Sequence, residues 1–299
     1  MSSLGRLLVA MVTPFDKDGE LNLKEAARLA SWLIDRGHDG LVVAGSTGEG
    51  NALSSEEKLA LFKTVKEAVG TRGSVIAGAA GNHTRQSIEL IKQVEAAHAA
   101  DAILATVPAY QKPTQDGMLG HFGAIAESTR LPITLYNIPG RTAANLLPAT
   151  LLELATRHKN IVGIKESSGD FNQFGQILRE RRKDFGFWSG DDYLFLPMLA
   201  IGADGVVSVA SHICAKELRE MMEAHDRGDV QRAAHIHLSL TPLFEALFAT
   251  TSPIPVKWAL GQLGFELGAC RLPLGSMPQA LIERLQPLLA PYLAQGARA

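Results

Sequence analysis

Short apolar runs rich in β-branched residues alternate along the chain with longer segments whose apolar positions recur three and four residues apart. The runs fall at residues 7–12, 40–44, 74–79, 102–107, 133–136, 161–165, 186–189 and 205–209. Between them, 23–35, 54–69, 84–97, 115–128 and 170–181 have helical spacing. Ser54-x-x-Glu57 opens the second of these as a capping box. Strand followed by helix, repeated, requires parallel strands joined by helical crossovers. Eight such units close a barrel, and even repeats without a break favour closure over an open doubly wound sheet. From residue 215 the pattern is helical only, at 215–225, 230–248, 256–263 and 278–293. The first of these completes the eighth unit and the others form an extension. The fold predicted is α/β, a (β/α)8 TIM barrel with a small C-terminal helical extension. Its domains are a barrel catalytic domain over 1–225 and a helical domain over 226–299.

Barrel enzymes place their chemistry just beyond the C-terminal ends of the strands. The unusual residues of this chain fall there. Thr13–Pro14 follows the first strand, GSTGEG (45–50) the second and PAYQKP (108–113) the fourth. YNIPGRT (136–142) ends the fifth, and Lys165 ends the sixth.

Charge narrows the classes. The 299 residues hold 29 Lys and Arg against 31 Asp and Glu, a net −2, which points to neither nucleic acid nor an anionic membrane as partner. No apolar stretch reaches the length of a membrane span. LLVAMV (7–12) is too short for a signal peptide and reads as a buried strand. The two cysteines, Cys214 and Cys270, are far apart and supply neither a disulfide framework nor a zinc knuckle, so a reduced cytoplasm is the expected setting. Nine histidines are scattered, and the closest pair, His235 and His237, does not share a helix face. No metal or cofactor is expected.

A lysine ending a buried strand needs a partner or a task. Glu166 is its chain neighbour, but adjacent strand residues point to opposite faces. Inside a barrel, a desolvated amine suits Schiff-base formation with a carbonyl. Tyr136 and Tyr110, two of only four tyrosines, lie at the same mouth. Each is either a packing aromatic or a proton-transfer group working with a hydroxyl such as Thr47. GSTGE is either a plain strand-to-helix turn or a place where the amides of Ser46 and Thr47 hold a small carboxylate. It is not a nucleotide fingerprint. Arg141 follows the turn Pro139–Gly140 and is either solvated or aimed at a second carboxylate. The run RERRK (179–183) reads as a solvated helix end.

Together TPF, GSTGE, PAYQKPTQDG, YNIPGRT, GIKESSGD, SGDD, GVVSV and SPIPVKWAL resemble, in order and spacing over the whole chain, the dihydrodipicolinate synthase family. That family lies within the pyruvate-dependent class I aldolase and N-acetylneuraminate lyase superfamily. The resemblance implies that Lys165 forms an imine with pyruvate, and that the derived enamine adds to L-aspartate 4-semialdehyde. It implies a proton relay of Tyr136, Thr47 and Tyr110, the last reaching into a neighbouring subunit, hence at least a dimer and usually a tetramer. It gives Arg141 the semialdehyde carboxylate, and Gly190 and Val207 carbonyls that line the pocket. Two departures stand out. Ser46 replaces the usual first threonine and keeps its hydroxyl and amide. At the positions that hold inhibitory lysine in some members this chain has Ser55, Lys58, Asn82, Gln86 and Ala109, so weak or absent lysine inhibition is expected. The alternatives are a lyase or aldolase for N-acetylneuraminate or a 2-keto-3-deoxy sugar acid, disfavoured by Arg141, and a non-catalytic pyruvate-binding paralogue, disfavoured by Lys165 and Tyr136.

Overall fold

The structure, a computed structural model, describes residues 4–293. Eight parallel strands, β1 (Leu7–Ala10), β2 (Gly40–Val43), β3 (Ser74–Ala80), β4 (Ala102–Thr106), β5 (Ile133–Asn137), β6 (Ile161–Glu166), β7 (Gly186–Ser189) and β8 (Gly205–Ser208), close into the expected barrel. Closure is the pairing of β1 with β8, where Leu8 faces Val207. The crossovers carry α1 (Leu23–Asp35), α2 (Ser55–Val69), α3 (Thr84–Ala96), α4 (Gln115–Glu127), α5 (Pro139–Thr142), α6 (Pro148–Arg157), α7 (Phe171–Glu180) and α8 (Phe195–Ala200). The eighth unit ends with α9 (Ser211–Asp226), and α10 (Val230–Leu247), α11 (Ile254–Gln262) and α12 (Gln279–Leu293) form the extension. Ser54 caps α2 through the capping box: its hydroxyl accepts from Glu57 N and its own N–H donates to the Glu57 carboxylate. Some apolar runs overshoot their strands, as Met11 and Val12 do beyond β1. Both are buried, so their apolar character marks burial, and Met11 N still donates to Val42 O of β2 at 3.0 Å. Among the described residues no helix is long and apolar enough to cross a membrane.

The end of the barrel away from the candidate residues is closed by Trp188, which is fully buried and donates from Nε1 to the Gly5 carbonyl at 2.9 Å. A Cβ on Gly186 would lie 2.3 Å from its ring, so only glycine fits there. The run RERRK is a solvated helix end only at Arg179, in the last turn of α7, and at Glu180 and Lys183, which are exposed; Arg181 and Arg182 correct the sequence reading. Arg181 ion-pairs with Asp204, whose carboxylate accepts from Phe187 N at 2.8 Å. Arg182 donates to the carbonyls of Ala155, Lys159 and Ile161. Their long stems carry the guanidinium groups to orphan carbonyls under the barrel.

Two fully or nearly buried histidines in the core are held neutral. His212 donates from Nδ1 to the Val209 carbonyl at 2.8 Å and accepts at Nε2 from Val12 N, so a second ring proton would face a donor. Burial pushes His212 down to about 3 and His38 down to about 4. Because both folded values lie below the unfolded one, their contribution is present above about pH 6.5 and is lost as pH falls below it. At pH 5 each costs about 2 kcal/mol. Asp192, raised by burial to about 6, works in the opposite direction, so a comparison of variants isolates the effect. His212→Gln, neutral throughout, is expected to lose less stability than wild type between pH 7 and 5 in thermal melts. Equal losses would refute this account of His212.

Candidate active site

The β5–β6 register sets Tyr136 opposite Lys165 and Asn137 opposite Glu166. Strand alternation then sends the two pairs to opposite faces. Lys165 and Tyr136 are 4% and 3% exposed, and Lys165 Nζ lies 4.1 Å from the centroid of the Tyr136 ring. The π face supplies attraction without a carboxylate that would tie up the amine. Glu166 points the other way, as alternation predicts. Its oxygens accept from Ser168 N at 2.7 Å, from Asn137 Nδ2 and from Gln173 Nε2. Burial pushes its carboxyl pKa up, against these hydrogen bonds, which favour the ionised acceptor. Asn137 also donates to Asn145 Oδ1 at 2.7 Å, so the network ties the ends of β5 and β6 together behind Lys165 and Tyr136. Gly190 follows β7, where a Cβ would come 2.8 Å from Lys165 Cε and 2.1 Å from Ser167 Oγ. A larger residue there would displace the lysine.

Residues 45–50 make a tight turn after β2, closed by Gly50 N to Gly45 O at 3.0 Å and Glu49 N to Ser46 O at 3.1 Å. Thr13 donates its hydroxyl to Gly48 O at 2.6 Å, joining the loop after β1 to this turn. A Cβ on Gly50 would lie 2.0 Å from Ala44 O, which accounts for that glycine. Thr47 is buried. Among the described residues no hydrogen bond joins it to Tyr136 or Tyr110, and such bonds commonly tighten only with substrate bound.

A cavity of about 400 Å³ opens beside these elements and is lined by Ser46, Tyr136, Arg141, Lys58, Asn82 and Ser252, among others. Of the sequence candidates it brings together Ser46, Tyr136 and Arg141. Thr47, Lys165, Gly190, Val207 and Tyr110 are not on its wall. Tyr136 therefore sits between the cavity and Lys165. Val207 is buried in β8. Tyr110, at φ 70°, is 91% exposed at the rim.

Two residues escaped the sequence reading. Ser252 Oγ is buried without a partner on the cavity wall, and the only signal for it is its place in SPIPVKWAL. Asp192, fully enclosed, accepts from Ser208 Oγ, Val209 N and Ala210 N, and so fixes the turn after β8 to the loop after β7. The SGDD motif carries that residue, but nothing in it distinguishes Asp192 from the partly exposed Asp191. An enclosed amine, a phenol, a tight turn and an arginine within one mouth suit imine chemistry on a keto acid.

The family model described as "Dihydrodipicolinate synthetase family" matches residues 3–290. A 4-hydroxy-tetrahydrodipicolinate synthase of Moorella thermoacetica is 52% identical over 270 residues, 90% of this chain and 92% of that one. Among solved structures, a dihydrodipicolinate synthase from Cyanidioschyzon merolae with lysine bound is similar at a TM-score of 0.94 and 44% identity, over 96% of this chain and 97% of that one. One from Bacillus anthracis has a TM-score of 0.93 at 42% identity, over 97% and 98% of the two chains.

Proposed function

The chain belongs to the dihydrodipicolinate synthetase family, and from that premise we infer that it performs the 4-hydroxy-tetrahydrodipicolinate synthase reaction, a lyase-class condensation in lysine and diaminopimelate biosynthesis. The Lys165 amine adds to the ketone carbon of pyruvate and water leaves, giving an iminium. Loss of a methyl proton makes the enamine, which forms a carbon–carbon bond to the aldehyde carbon of L-aspartate 4-semialdehyde. The amine of that substrate then attacks the iminium carbon, closes the ring and releases Lys165, so one water is lost overall.

The observation that carries this reading is the Lys165 amine, enclosed 4.1 Å from the centre of the Tyr136 ring at the ends of two strands in register. Ser46 and Thr47 offer amides to the pyruvate carboxylate, with the carbonyls of Gly190 and Val207 completing the pocket. Arg141, exposed and lining the cavity, takes the carboxylate of the semialdehyde. Tyr136, Thr47 and Tyr110 move protons. Tyr110 is too exposed to serve the site of its own chain, so its partner is a second copy, and the working assembly is at least a dimer, with the tetramer of the resemblance as the full form. The absence of any need for a disulfide, with Cys214 and Cys270 both free, suits a reduced cytoplasm.

Purified protein is expected to consume pyruvate and L-aspartate 4-semialdehyde together. Pyruvate captured on the protein with no semialdehyde consumed would keep the first half of the reading and replace the acceptor with a sugar-derived aldehyde. In the same assay micromolar lysine is expected to leave the rate unchanged. Lys58 lines the cavity and would face an incoming cation, and Asn82 Oδ1 already accepts from Ala109 N at 2.7 Å. Inhibition at micromolar lysine would overturn that expectation.

A further inference from the structure

We propose that the buried Glu49–Lys257 ion pair, together with Arg271, is a positioning device that holds the turn of residues 45–50, and with it Ser46 and Thr47, in place. The C-terminal helices thereby become part of the active-site machinery. This deepens the reading above, since it takes Ser46 and Thr47 to be the pyruvate-binding turn.

Glu49 is the fifth residue of that turn and closes it through its N–H to Ser46 O. It is not glycine, yet it has left-handed backbone geometry at φ 53° and ψ 33°. Its side chain is 1% exposed, and that of Lys257 in α11 is 4% exposed. Glu49 Oε1 accepts from Lys257 Nζ at 2.9 Å, and Oε2 accepts from Arg271 N at 2.8 Å. Lys257 Nζ also donates to Ala269 O at 3.2 Å and lies 4.5 Å from the centre of the Phe15 ring.

The Arg271 guanidinium sits over the same ring at 4.4 Å. It donates to Glu57 at the start of α2 through two bonds, at 2.6 and 2.9 Å, and to the carbonyls of Gly19 and Ala52, both at 2.9 Å. Phe15 N in turn donates to Leu267 O at 2.9 Å. TPF, GSTGE and PIPVKWAL, far apart in the chain, therefore meet in one hub behind the mouth.

A buried ion pair is a poor source of net stability, because desolvating two charges offsets most of their attraction. Its value here is geometric. The carboxylate of Glu49 cannot leave its two donors without exposing a buried charge, and its backbone cannot shift without moving Ser46. Lys257 is not on the cavity wall, and Glu49, which is, has its carboxylate oxygens taken by Lys257 Nζ and Arg271 N, so both act through the turn.

The test uses the full-length protein with Lys257→Met, Glu49→Gln, the double variant and Lys257→Arg. The first readout is the pyruvate concentration giving half-maximal capture on Lys165 by borohydride, and the second is kcat and KM for each substrate. Lys257→Met and Glu49→Gln are expected to raise half-saturating pyruvate, and its KM, roughly ten- to hundred-fold, the scale on which small misplacements act. The KM for the semialdehyde should move less, since Arg141 stands on another loop. The double variant should be no worse than the worse single one, and Lys257→Arg should recover part of the loss.

Folded variants that melt lower but keep wild-type half-saturation would overturn the proposal. Should Lys257→Met not fold, the double variant leaves no unpaired charge and decides the question. Wild type that captures pyruvate but consumes no semialdehyde would defeat the acceptor reading while the pyruvate readout still judges the hub. Wild type that captures no pyruvate would overturn both.

Discussion

Lys165→Ala is expected to lower turnover by roughly 10⁴-fold or more, the scale seen when a covalent nucleophile is removed. The fold should survive, because Lys165 has no carboxylate partner among the described residues that its loss would leave unpaired. Its Nζ rests on an aromatic face, and the strand around it is held by Glu166, Asn137 and Gln173, which do not depend on it. Native circular dichroism with absent activity therefore separates chemistry from folding. Residual activity within a factor of about ten of wild type would remove Lys165 from the centre of the mechanism.

Tyr136→Phe is the second large effect. The ring stays to support the lysine and only the hydroxyl is lost, so binding and strand packing persist. A group that transfers protons in the transition state is worth typically 10²–10⁴-fold, and kcat is expected to fall by about that amount. Pyruvate should still be captured by borohydride, more slowly, because the amine remains. A kcat within about two-fold of wild type would return Tyr136 to the role of a packing aromatic beneath Lys165.

The barrel was legible because each strand is an apolar run and most crossovers carry a helix long enough to show its period. α5 and α8 are too short for that: Pro139–Thr142 has four residues and Phe195–Ala200 has six. The positions of Lys165, Tyr136 and the 45–50 turn were legible too, since barrel topology sends every strand end to one mouth. Contacts across long chain separations were not. Glu49 and Lys257 are 208 residues apart, and nothing near either announces the other. Arg181 and Arg182 look solvated in a charged run, and only the fold reveals the carbonyls that their stems reach. Asp192 shows the same limit. An acid beside another acid reads as surface, whereas here one of the two is enclosed and bonded to the turn after β8.

The functional account depends most on the covalent bond between Lys165 and pyruvate. The direct measurement is the intact mass of the protein after borohydride reduction in the presence of pyruvate, followed by identification of the modified peptide. The account predicts one reduced pyruvate adduct per chain, on Lys165, and none in Lys165→Ala. No adduct, or an adduct on another lysine such as Lys58 or Lys257, would contradict it.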